Sequence, residues 1–279
     1  MIVHDCPRHG PYGHSESDAK AFLEMGVPHI KPYCKGCQED LDRAIRAAED
    51  AFKSENLIWN AWCKAGIPTR YLNRTVANWL PTQQQRAAKN IVQAWLNSIE
   101  EHLSNGTGLL LQGAPGVGKT HLLCGLCAGL IRMGVTARRA NWPDVWAMFC
   151  PPFADDREEK FAALASVDVL ALDEIGLAAS SDKEQARLFD LIDKRYRRRL
   201  PTLIATNLTT DTLKSLGERT ADRLREMCFL IAIPGESYRS KAAENPIKDP
   251  EPFQRPRRPV VVSLVAVGGE DVERRWEAR

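Results

Sequence analysis

The sequence predicts an α/β protein built on a parallel β-sheet with helices on both faces, and three observations carry that prediction. Between residues 108 and 233, short apolar runs alternate with longer amphipathic stretches, the pattern of strands joined by crossover helices. Several runs are apolar or nearly so (Leu109-Leu110-Leu111, residues 167–172 with Asp168 as the one break, Leu203-Ile204-Ala205), as strands covered on both faces require. Finally, Gly113, Ala114, Pro115, Gly116, Val117, Gly118, Lys119 and Thr120 spell G-x-x-x-x-G-K-[ST] directly after an apolar run and before a helical pattern.

The elements follow in order. Residues 1–37 read as loop-like, with Pro7, Pro11 and Pro28 and little periodicity. From Gln38, apolar residues at Leu41, Ile45, Ala48, Phe52, Trp59 and Trp62 keep one helical face in line, interrupted at Glu55 and stopped by Gly66 and Pro68. A single long helix over 38–65 is expected. A second helix starts at Thr82, with Gln85 at capping-box spacing; its stripe of Ala88, Ile91, Trp95, Ile99 and Leu103 ends before Gly106. Strands are then expected at 108–112, 135–140, 168–172, 202–206 and 228–233. Helices are expected at 119–132, 143–149, 158–165, 183–199, 209–216 and 218–227. Five prolines in residues 246–259 suit an extended or disordered tail, with a short strand at 260–267. The expected organisation is a metal module (1–37), a helix and linker (38–68), a large α/β domain (69–241) and a tail (242–279).

Composition narrows the function. Hydrophobic residues make up 44% and charged residues 27%, with 38 basic against 36 acidic side chains, so no strongly basic footprint marks a histone-like or operator-binding protein. No apolar stretch reaches the ~18 residues of a membrane span, and Met1-Ile2-Val3-His4-Asp5-Cys6 does not open a signal peptide. A cytoplasmic protein without a membrane partner is expected. Its eight cysteines are then thiols or metal ligands.

Residues 113–120 form a phosphate site. Gly113, Gly116 and Gly118 let backbone N–H groups turn around phosphate oxygens at the positive end of the next helix. Lys119 offers a mobile charge to the β- and γ-phosphates, and Thr120 a hydroxyl to Mg²⁺. Asp173 and Glu174 end the apolar run 169–172: Asp173 suits Mg²⁺, and Glu174 suits orienting or deprotonating a water, which points to ATP hydrolysis. Asn207, at the end of another strand, is a contact for the γ-phosphate or the water, or an ordinary turn residue. Arg219 and Arg223 lie one turn apart; one acts across a subunit boundary, or both sit on a solvated face.

Cys6-x-x-His9 and Cys34-x-x-Cys37 have the spacing of a structural Zn²⁺ site of three cysteines and a histidine, with His4, His14 or His29 as other choices for the fourth ligand. Cys124-x-x-Cys127 lies among leucines and reads as buried thiols. The five basic residues of Lys194-Arg195-Tyr196-Arg197-Arg198-Arg199 complement a helix end or meet a phosphate backbone. Met148, Phe149 and Phe153 stack on bases or simply pack.

Together these residues resemble the AAA+ helicase loaders of the DnaC type, with the transposition helper IstB as a near relative. The likeness rests on residues 113–120 followed by His121-Leu122, on 167–176, Pro201-Thr202, Thr206-Asn207 and 217–224, and on Ser237-Tyr238-Arg239-Ser240. The resemblance implies a five-stranded parallel sheet in the order 5-1-4-3-2 and ATP-controlled deposition of a hexameric replicative helicase on single-stranded DNA. It also implies self-association through the ATPase domain. By matched motif, Asn207 becomes the first sensor, Arg223 the arginine finger acting on a neighbour's ATP, and Arg239 the second sensor. The metal module and the tail are additions to the best-known loaders. Residues 1–68, with Trp59 and Trp62 on one stripe, are the expected helicase-binding part. An IstB-like ATPase that assembles on duplex DNA and recruits a transposase is the alternative.

Overall fold

The computed structural model describes residues 2–14, 34–149, 156–176, 181–238 and 256. The chain divides into two compact units, Met1–Asn56 with Pro256–Arg279, and Leu57–Arg255. The tail strand expected at 260–267, Arg239 and Phe153 lie outside the described residues.

In the first unit, β1 (Ile2–Cys6) and β2 (Gly10–His14) pair antiparallel, with Cys6 opposite Gly10. Here the loop-like expectation fails. Ten residues carrying two glycines and a proline show no alternation, yet the C-x-x-H turn closes them into a hairpin, helped by Gly10 at φ +77°. Helix α1 (Lys35–Lys64) begins in this unit and is buried only at Trp62.

The second unit is a five-stranded sheet of β3 (Gly108–Gln112), β4 (Ala137–Asn141), β5 (Val169–Ile175), β6 (Thr202–Thr206) and β7 (Cys228–Ala232), in the order β4-β5-β6-β3-β7. Every pairing is parallel. Counted from β3 as first strand, the order is 5-1-4-3-2, as expected. Alternate side chains of β3, β5 and β6 enter different cores. Leu109, Leu111, Ala171 and Leu203 meet Leu122, Leu123 and Leu126 of α4 (Lys119–Arg132) and Val92 and Trp95 of α2 (Arg86–Asn97). Leu110, Leu170, Leu172 and Ile204 meet α6 (Arg157–Ser166), α7 (Asp182–Arg197) and α8 (Glu218–Met227).

Several local expectations change. The helix from Thr82 starts with its capping box and a 3₁₀ turn, Gln83–Gln85. It breaks at Ser98 between α2 and α3 (Ile99–Asn105). Ile91 is exposed, and Val92 takes its place in the core. Short α5 (Trp142–Ala147) follows β4, and Thr212–Leu216 is a 3₁₀ turn rather than an α-helix. Trp62 is not an exposed anchor: it is 2% accessible, lies in the core with Ala65 and Trp79, and carries the Arg132 guanidinium 5.1 Å above its ring. Within the basic run, Arg195 is fully buried and donates to the carbonyls of Leu164, Val167, Asp168 and Pro201 and to Thr202 Oγ1. It ties the start of β5 to the start of β6. Among the described residues, no helix is long and apolar enough to cross a membrane.

Candidate functional site

The phosphate loop links the end of β3 to α4, so residues 113–118 sit at the carboxyl edge of the sheet, where the backbone N–H groups of a helix start are unpaired. Gly116 (φ +83°) and Gly118 (φ +102°) adopt left-handed conformations. A Cβ at Gly116 would collide with Ser237 Oγ, and one at Gly118 with Trp79 Nε1. Lys119 is almost fully buried; its Nζ donates to Gly113 O (2.7 Å), Ala114 O (2.8 Å) and Asn207 Oδ1 (2.7 Å). The loop lysine and the residue ending β6 thus meet directly. Thr120 stands in the first turn of α4, half-buried.

The acidic pair closes the other side. Asp173 is 2% accessible, accepts from Arg139 Nη2 at 2.7 Å, and accepts the Glu174 N–H at 3.1 Å. Pairing between β5 and β6 shifts register between Leu172 and Ile175, and Glu174 sits at φ +60°. A left-handed backbone at a non-glycine residue stores strain. Here it turns the Glu174 side chain outward, exposed, while Asp173 stays inside.

Around this edge, Trp79 Nε1, Gln112 Nε2, Arg139 Nε and Asn141 Oδ1 are buried without a hydrogen-bond partner. Buried polar atoms are ordinarily satisfied, so a polar ligand with its waters fits here, and the donor set of ammonium, loop amides, hydroxyl and carboxylate suits a nucleotide with Mg²⁺. Sequence reasoning missed Arg139 and Trp79, which belong to no motif. It quoted Tyr238 without a role; the Tyr238 N–H donates to Gly116 O (2.9 Å), and its hydroxyl meets Leu80 O (2.6 Å) and Gln85 Oε1 (2.7 Å). His121 Nε2 lies 3.0 Å from Thr75 O and 2.9 Å from Asn78 Oδ1, and burial pushes its pKa down to about 4.

Arg223 is held on its own chain. Its guanidinium lies 4.2 Å from the Tyr196 ring centroid, with Nε 3.5 Å from Asp193 Oδ1 and Nη1 3.7 Å from Glu226 Oε2. Arg219, one turn earlier, is exposed.

In the first unit, Cys6, His9, Cys34 and Cys37 bring their ligand atoms within 4.8 Å of one another. His9 Nδ1 lies 3.3 Å from Cys34 Sγ, 3.5 Å from Cys37 Sγ and 3.7 Å from Cys6 Sγ, and the Cys6 and Cys37 sulfurs are 3.5 Å apart. A tetrahedron with Zn–S of about 2.3 Å and Zn–N of about 2.0 Å has S···S edges of about 3.8 Å and S···N edges of about 3.5 Å; the distances here lie within a few tenths of an ångström of these, so the four fit that ion. Backbone N–H groups of Arg8 and His9 bring the Cys6 thiol down to about 6, the Arg8 bond contributing most. His9 Nε2 faces Asp40 Oδ2 at 3.4 Å, and a Cβ at Gly36 would strike the His9 ring. Cys124 and Cys127 are buried, and burial pushes the Cys124 thiol up to about 12.

Comparisons with known proteins agree with the fold. The replicative helicase loader DnaC of Escherichia coli (strain K12) is 28% identical over 238 residues, covering 80% of this chain and 96% of the loader. A crystal structure of the DnaC helicase loader superposes with a TM-score of 0.54 at 25% identity, over 60% of this chain and all of that one. AMPPCP-bound DnaA from Aquifex aeolicus shares the fold at 21% identity, with a TM-score of 0.51 over 62% of this chain and 56% of that one. Residues 62–245 match the family described as IstB-like ATP binding protein, and the chain belongs to that AAA+ family.

Proposed function

We propose that this chain is an ATP-dependent loader that delivers a replicative ring helicase onto single-stranded DNA. The observation that carries the reading is a likeness to a replicative helicase loader along 96% of that loader's length, joined to a complete phosphate loop and acidic pair.

In this reading ATP lies on residues 113–120, with loop N–H groups on its phosphate oxygens and Lys119 facing the β- and γ-phosphates. Thr120 and Asp173 would hold Mg²⁺, which supplies charge neutralisation at the phosphates. Glu174 takes a proton from the attacking water as the water oxygen bonds to the γ-phosphorus. The bond to the β–γ bridging oxygen breaks, leaving ADP and phosphate. Asn207, already bonded to Lys119, reports the γ-phosphate to β6 as the first sensor, and Arg239 is the second. Arg223 acts on the ATP of a neighbouring copy, so hydrolysis requires self-association; Arg219 is the other choice for that role.

Cys6, His9, Cys34 and Cys37 hold one Zn²⁺ that stands in for a hydrophobic core in the N-terminal module, residues 1–37. That module, with the helical segment 38–68, faces the helicase, while 69–241 is the ATPase domain and 242–279 a tail. Because Trp62 serves the ATPase core, the partner contact falls on the earlier half of α1. The chain works in the cytoplasm.

The family description, IstB-like ATP binding protein, leaves room for a second reading, in which the chain is an ATPase that assembles on duplex DNA and recruits a transposase. One experiment separates them: the full chain is mixed with the replicative helicase of its own cell and closed single-stranded circles. ATP-dependent retention of helicase on the circles supports loading. No retention, with capture of the transposase on duplex DNA instead, supports the second reading.

A further inference from the structure

The side chain that meets the Asp173 carboxylate lies outside the phosphate loop and every other motif quoted above. Arg139 stands mid-strand in β4, whose register with β5 sets it opposite Ala171, two residues before Asp173. Residues two apart on a strand share a face, so Asp173 projects with Ala171 toward the core beneath α4. There Arg139 Nη2 reaches Asp173 Oδ2 at 2.7 Å, the two side chains only 11% and 3% accessible. The Nε of the same guanidinium is buried with no partner.

A guanidinium is costly to bury, and so is a carboxylate; each tolerates burial here because of the other. β4 is a half-buried strand at the sheet edge; an apolar residue at position 139 would serve its packing without the cost of a buried charge, so the arginine serves the acid rather than the sheet. A positive group touching Asp173 also opposes any second cation brought to the same carboxylate, and in a partly desolvated site that repulsion is strong.

We propose that Arg139 is the resident counter-ion of Asp173: it holds the carboxylate in place, and it raises the Mg²⁺ concentration needed to hold ATP. This rests on the reading of Asp173 as the Mg²⁺-associated acid. Arg139 is a positioning residue; it touches the acid, not the reacting atoms. The arrangement gives the site two self-consistent states. In one, the arginine alone neutralises the carboxylate; in the other, the carboxylate is shared with Mg²⁺ brought by ATP.

The test uses the full chain and a fluorescent ATP analogue, titrated with Mg²⁺, with melting temperature measured alongside. Arg139→Leu and Arg139→Gln should each reach half-maximal binding at a Mg²⁺ concentration about five-fold or more below that of the unmodified chain. Both should melt lower without nucleotide and gain more from Mg²⁺ and ATP together, because the cation then supplies the missing charge. If Arg139→Leu does not fold, Arg139→Gln, which retains a donor for Asp173, carries the same prediction. A lowered melting temperature with an unchanged or higher Mg²⁺ midpoint makes the pair purely structural and overturns the proposal. A distinct result marks failure of the nucleotide reading beneath it: Lys119→Ala binding the analogue as well as the unmodified chain, or binding that ignores Mg²⁺ altogether.

Discussion

Lys119 and Asn207 stand 88 residues apart in sequence and join at the centre of the phosphate site, Nζ to Oδ1 at 2.7 Å. The contact couples the cation of the loop to the end of β6, so a phosphate that draws on Lys119 must alter what Asn207 holds.

Their substitutions should separate binding from turnover. Lys119→Ala removes the main side-chain cation, and ATP affinity should fall by about 100-fold, in line with the roughly 1.5–3 kcal/mol of a charge-assisted contact. Asn207→Ala should bind within a few-fold of the unmodified chain yet turn over about ten-fold more slowly. Equilibrium binding and steady-state hydrolysis read the two; equal losses of affinity in both variants would refute the division.

The Cys6, His9, Cys34 and Cys37 cluster predicts one zinc per chain by metal analysis of purified protein. Chelation should unfold the N-terminal module while ATP binding stays within about two-fold, since binding free energy of a structural zinc is folding free energy for its own module. Gly36→Ala, which drives a methyl into the His9 ring, should lower zinc affinity without touching the ATPase site. Metal-free protein with Cys6, Cys34 and Cys37 titrating freely and an ordered module would contradict this.

The Arg223 contacts with Asp193, Glu226 and Tyr196 bear on its action in trans. Arg223→Ala chains should bind ATP and hydrolyse it poorly. Mixing them with Glu174→Gln chains should restore turnover, because an intact Glu174 on one chain then meets an intact Arg223 from the other. Rescue with Arg219→Ala chains, and none with Arg223→Ala despite co-assembly, would move the role to the exposed Arg219.

His121 gives a pH signature. Burial beside Thr75 and Asn78 takes its pKa from 6.5 to about 4, so between those values the unfolded chain binds a proton that the folded chain does not. Stability is therefore full above about pH 6.5 and falls as pH drops toward 4. The contribution at pH 5 is a loss of about 2 kcal/mol. The drop in melting temperature between pH 7 and pH 5 should be smaller in His121→Gln, and an equal drop would show that His121 is not the group responsible.

What the sequence disclosed depended on how local the signal was. Residues 108–112, 119–132, 202–206 and 218–227 are read correctly to the residue, because glycine, lysine and apolar runs mark their ends within the segment itself. The hairpin of Ile2–Cys6 and Gly10–His14 was invisible, since its cohesion comes from the Cys6–His9 turn and from Cys34 and Cys37, distant in sequence. Arg195 reads as one cation of a run that complements a helix end or meets a phosphate backbone, but the carbonyls that bury it belong to other elements. Trp62 keeps the helical period of its stripe yet turns into the core of the sheet domain, where Arg132 covers it. Arg139 carried no signal at all, because only the pairing of β4 with β5 brings it to Asp173.

The most direct measurement is ATP turnover by the full chain beside that of Glu174→Gln, with nucleotide affinity measured on the same preparations. Glu174, turned out of β5 at φ +60°, is the base for the attacking water in this account. Glu174→Gln should bind ATP as tightly as the unmodified chain and hydrolyse it at least about 100-fold more slowly, within the span that general-base catalysis supplies. Hydrolysis by Glu174→Gln at the unmodified rate would contradict the account of this site as an ATP-driven switch.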